Sequence, residues 1–132
     1  MKARYLIVAA IAAAIPLGEQ ANAQAYRYLY YDMNMIAQAH GTVQRFDWMN
    51  PNSEIHVLIK DPSTGSSEAW TFVMGPPTRS AEYGWDKDSL KPGDEVVLTF
   101  HPSRDGSHSG QLVNATLPSG STLQATEPNP AG

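Results

Sequence analysis

Three side chains near the start of the chain are of the types that bind a soft metal. Met33 and Met35 lie two apart, and His40 follows five residues on. Thioether plus imidazole is the donor set that selects cuprous copper. The same stretch reads equally well as the apolar face of an N-terminal strand or helix, because methionine most often fills gaps in cores. Of the other histidines, His56 alternates with Ile55, Val57 and Ile59, which places it on the outer face of a strand. No partner at i+2 or i+4 supplies the ligand cluster a metal needs there. His101 closes a strand before Pro102, a place where binding residues gather. His108 lies solvated in a Gly/Ser loop.

A second set is aromatic. Trp48, Tyr83 and Trp85, with Asn50 and Asn52 nearby, can form a ligand platform at the mouth of a small barrel, with His101 at a neighbouring strand end. They serve equally as packing, since each large aromatic buries about 150–250 Å². Catalysis has less to stand on. Asp105, Ser107 and His108 are neighbours in one loop and cannot hold a triad, and no nucleophile elbow is present. The acidic pairs Asp86/Asp88 and Asp94/Glu95 lie in turns, and no glycine-rich phosphate loop precedes a helix. The reading is a non-enzyme without a cofactor.

The elements that position these residues begin after a leader. Lys2 and Arg4 precede an apolar run from Tyr5 to Leu17, and Ala21-Asn22-Ala23 follows. This is the pattern of a cleaved secretory signal peptide, 1–23. The run is shorter than the about 20 residues of a membrane span. Cleavage after Ala23 takes 23 of 132 residues and leaves 109, one domain with one modest core. It also removes two cations and one anion, so the net charge of −4 becomes −5. Nucleic-acid binders carry basic stripes instead. With no cysteine, an exported chain has no disulfide framework and must hold by packing and backbone pairing.

Residues 24–40 form an N-terminal segment, and period two dominates from 41 to 124. Strands are predicted over Gly41–Trp48, Glu54–Lys60, Glu68–Met74, Glu95–His101 and Gln111–Leu117, with turns such as "DPSTGSS" and "LKPG" between them. Val43 and Phe46 have opposite parity, so a β-bulge near Gln44-Arg45 would let both face the core. Thr78–Tyr83 suits one or two helical turns, "PSGSTL" one more turn with a short terminal pairing, and the proline-bearing end, 125–132, a disordered tail. Five strands with a helical insert between the third and fourth is the order of an OB-like, partly open all-β barrel.

The blocks "GTVQRFDWMNP" (41–51), "GPPTRSAEYGW" (75–85), "SLKPGDEV" (89–96) and "HPSRDG" (101–106) resemble, in order and spacing, a family of small exported bacterial proteins. That family is a domain of unknown function, family sixty-one fifty-two, and there is a looser likeness to periplasmic OB-fold proteins that bind small or cationic ligands. The resemblance implies export and a small β-domain, not a reaction. Members often carry a histidine after the Asn-Pro pair, where Asn52 stands here, and a histidine pair near the mature N-terminus. "QAYRYLYY" (24–31) has none, so a metal site built on those histidines does not carry over.

The expected role is thus an exported accessory or ligand-binding domain of the bacterial envelope. Its partner would be a small molecule or an envelope protein, without nucleic acid and without stable membrane insertion. The alternatives are a periplasmic copper-binding protein using Met33, Met35 and a histidine, and a structural subunit of an envelope complex. The leader makes the first prediction. Periplasmic protein should begin at Gln24 by intact mass, and a mass that retains residues 1–23 defeats the assignment.

Overall fold

The computed structural model describes residues 29–130, and residues 6–10 as backbone. The strands are β1 (Leu6–Ala10), β2 (Met35–Asp47), β3 (Ser53–Lys60), β4 (Ser67–Met74), β5 (Glu95–Pro102), β6 (Ser109–Thr116) and β7 (Thr122–Gln124). A five-residue helix, Pro77–Ala81, lies between β4 and β5. The expected cleavage site lies outside the described residues. Of the expected leader, Leu6–Ala10 pairs antiparallel with Met35–Gln38 of β2.

Five strands close a barrel in the order β2-β3-β4-β6-β5 and back to β2. All neighbours are antiparallel except β4 and β6, which run parallel through three pairs, Thr71↔Ser109, Phe72↔Gly110 and Val73↔Gln111. This is the OB-like order, with the helix between the third and fourth barrel strands. The short parallel ladder closes what the sequence suggested would stay partly open. Gly110 is required at that seam, because a Cβ there would stand 2.7 Å from the Phe100 ring and 2.9 Å from the His101 carbonyl.

The first barrel strand is longer than expected. It begins at Met35, and Ala37–Thr42 pair with Glu95–Phe100 of β5 while Gly41–Asp47 pair with Glu54–Ile59 of β3. One strand serves two neighbours because it bends. The register slips between Val43 and Arg45, the bulge anticipated from parity, and both Val43 and Phe46 turn toward the core. The barrel interior follows the alternation. Ile55, Val57 and Ile59, Trp70, Phe72 and Met74, and Val96, Leu98 and Phe100 are all buried. Each such aliphatic or phenyl side chain contributes roughly 1.5–3 kcal/mol by leaving water.

Trp70 sits at the centre of this core, 3% exposed and paired across the strands with Val57. Its ring stacks on Phe72 at 5.8 Å and on His108 at 4.9 Å, and meets Phe100 at 5.8 Å. Trp70→Ala should cost about 3–5 kcal/mol, a large part of the stability of a domain this size. Denaturant unfolding measures it, and an unchanged midpoint would show that the ring carries no packing.

Candidate functional site

His101 and Gln111 face each other across β5 and β6 on the outer side of the barrel. An outer-face residue should be wet, yet Gln111 is 3% exposed. What covers it is the two ends of the chain. Met33, just before β2, and Gln124–Glu127, from the last residue of β7 onward, roof the strands and leave a cavity of about 220 Å³ lined by Met33, His101, Gln111, Val113 and those C-terminal residues. Within the wall, the Gln111 Oε1 atom is buried and has no hydrogen-bond partner among the described residues. Such an atom carries a desolvation cost of about 1–3 kcal/mol.

The His101 ring is fixed. Its Nδ1 lies 2.8 Å from the Met35 carbonyl oxygen. A carbonyl can only accept, so Nδ1 carries a proton and donates, which in the neutral tautomer makes Nε2 the acceptor. The residues lining the cavity thus carry imidazole, amide and thioether groups. Met33 belongs to this wall, but His40 does not. It is exposed on β2 opposite Val97, about 16 Å along the strand from Met35 at some 3.3 Å per residue. Met33, Met35 and His40 thus share no common point, and Met35 contributes its backbone carbonyl to His101.

At the barrel mouth the aromatic set is split by burial. Trp85 is 2% exposed and donates from Nε1 to the Gln124 carbonyl at 2.9 Å, so it offers no face to a ligand. Phe46 links it to the half-buried Trp48, with 5.8 Å between centroids on each side. Tyr83 is exposed and lines an open groove with Arg79, Glu82 and Ala125–Glu127. Asn50 is exposed beside the cis Asn50-Pro51 bond. Asn52 is engaged at both ends of its amide: Nδ2 donates to the Asn129 carbonyl (2.9 Å), and Oδ1 accepts from the Asn129 N–H (2.6 Å).

The segment read as a disordered tail supplies that partner. Ala125 N–H donates to Val113 O, Gly75 N–H donates to Thr126 O, Arg79 donates to Glu127 O, and Pro128 is buried. Gly75 lets the tail approach, since a Cβ there would overlap Thr126 Oγ1. The mouth is occupied by the protein's own C-terminal segment.

The remaining polar clusters differ in kind. In the 103–109 loop, Asp105 accepts from Ser103 Oγ and Ser107 N–H, and these bonds lower its carboxyl to about 2. His108 turns away to stack on Trp70 and meets Glu68 at 3.3 Å. On the outer face of β2 and β3, His56 meets Asp47 and Glu54. The partner absent at i+2 and i+4 is found at i−2, as Glu54, and across the strand pair, as Asp47. Hydrogen bonds from the Arg45 guanidinium hold the Asp47 carboxyl below its usual 3.8.

Against known proteins, residues 13–113 match the model of a family described as "Family of unknown function (DUF6152)". No curated protein and no solved structure matches the chain.

Proposed function

The chain belongs to this family of unknown function, and from its own residues we propose that it is an exported, non-enzymatic binding domain of the bacterial envelope. Its ligand site in this reading is the cavity between the β5–β6 face and the two chain ends. The observation that carries the reading is the buried, unpartnered Oε1 of Gln111. Proteins rarely leave such an atom unsatisfied, and the exceptions need an explanation. A turn of the Gln111 amide toward the cavity would let a ligand that donates a hydrogen bond or offers positive charge complete it, with the His101 ring as a second acceptor. The volume of about 220 Å³ is below the roughly 300–1,000 Å³ of pockets for drug-sized molecules, so the ligand is small.

The non-enzymatic part of the reading rests on how the described residues of the loop after β5 are held. Asp105 and Ser107 are tied to each other in one loop, and His108 faces Trp70 and Glu68. A second reading, cuprous copper, is favoured by one observation: Met33 lines the same cavity as His101. Thioether and imidazole are soft donors. The histidine of that reading is His101, in place of His40.

Native mass spectrometry of protein gently released from the periplasm tests both readings. The wild type should carry one small adduct; Gln111→Met should lose an organic adduct but keep copper, since it adds a thioether, and should melt no lower, because the substitution removes an unsatisfied buried atom. An organic adduct supports the first reading and a copper mass the second. A wild type without adduct, or a Gln111→Met protein that melts well below it, speaks against the site.

A further inference from the structure

The outer face of β2 and β3 holds two carboxylates directly opposite each other, Asp47 and Glu54, with His56 two rungs away opposite Arg45. Like charges facing across a strand pair destabilise it, so this face needs a cation. Arg45 supplies one to Asp47 through bonds of 2.8 and 3.0 Å. Yet its side chain is 65% exposed, held at the surface where an ion pair contributes little. Glu54 meets His56 Nε2 at 3.3 Å, and Asp47 Oδ2 meets the same nitrogen at 3.0 Å.

These are ligand spacings. Around a tetrahedral ion with bonds of about 2.0–2.2 Å, neighbouring donor atoms stand roughly 3.4 Å apart. One donor atom from each of Asp47, Glu54 and His56 lies within 4.8 Å of the other two, so a small rotation of one carboxylate closes the set. The ring is braced from behind. His56 Nδ1 lies 3.2 Å from Thr71 Oγ1 on β4, and a hydroxyl that accepts the Nδ1–H leaves the Nε2 lone pair toward the two carboxylates. This is the outer contact that orients a metal-binding histidine.

We propose that Asp47, Glu54 and His56 form a binding site for a divalent transition metal of the zinc type, with the Arg45 guanidinium as the placeholder that the ion displaces. One imidazole nitrogen and two carboxylate oxygens suit zinc and leave a fourth position for water. The Arg45 terminal nitrogen stands 3.0 Å from Asp47 Oδ2 and 3.2 Å from His56 Nε2, on the ground the ion would take. Metal entry therefore requires the arginine to swing out, and its exposure permits that. Competition with a tethered cation makes the affinity modest. The site is separate from the cavity at β5 and β6 and does not rest on it.

Calorimetric titration with zinc chloride, together with the ¹⁵N resonances of the His56 ring, decides. We expect one zinc equivalent that shifts His56 Nε2, that weakens at least about tenfold in Glu54→Gln and in His56→Gln, and that tightens in Arg45→Met, since losing an ordinary ligand or its bracing costs about that much. Calcium, which prefers all-oxygen sites, should not compete. Zinc binding that leaves the Nε2 resonance in place, or is indifferent to both Glu54→Gln and Arg45→Met, overturns the proposal. So does the absence of any zinc heat. If His56→Gln fails to fold, the Glu54 and Arg45 variants and the resonance carry the result alone.

Discussion

The bulge between Val43 and Arg45 is the constraint on which most of this molecule depends. Without the slip, a strand of 13 residues would run straight past one neighbour. With it, the first half of β2 pairs with β5 and the second half with β3. The same extra residue resets parity. Phe46 is brought inward to join Val43 at the core, while Arg45 and Asp47 emerge together beside Glu54 and His56. One inserted residue thus places a plug in the barrel end and a charge cluster on its flank.

The two chain ends do for the outside what the bulge does for the inside. An OB-like barrel of this size has one core and little else to protect. Here Met33 and the segment after β7 form a partial second layer over β5 and β6. That layer turns an outer strand position into a buried one at Gln111, and leaves its carbonyl oxygen unsatisfied. The tail then crosses the mouth, where Asn52 treats Asn129 as a neighbouring strand would, giving and accepting one hydrogen bond each. Asn52 thus spends its amide on the protein's own backbone.

How much of this was legible follows from which forces wrote it. The alternation of Ile55, Val57 and Ile59, of Trp70, Phe72 and Met74, and of Val96, Leu98 and Phe100 is burial on one side of a sheet, and it reads directly. So did the bulge, because Val43 and Phe46 disagree in parity. The first half of β2 did not, because its inward residues are Ala37 and Ala39, small side chains without strong β preference. Gln111 looked like any polar residue on a strand, since its burial comes from segments about 80 residues earlier and over a dozen later. The tail read as disordered from its prolines, yet Pro128 is buried and the backbone around it is bonded. Glu54-x-His56 was visible as a spacing of two, but Asp47 joins it only through register.

The closing ladder between β4 and β6 sets a schedule for the chain. Every pairing that turns the sheet into a barrel, β2 with β5 and β4 with β6, needs residues from Glu95 onward. A growing chain that has not reached them can form only the β2-β3-β4 meander, whose Ile, Val and Trp face stays open to water. Contacts this distant in sequence are slow to form. The barrel cannot close until β6 has been made, and the segment that caps the mouth follows it in the chain. In the proposed reading as an exported domain, such lateness would suit a chain that crosses a membrane as an extended thread, with little to unfold beforehand.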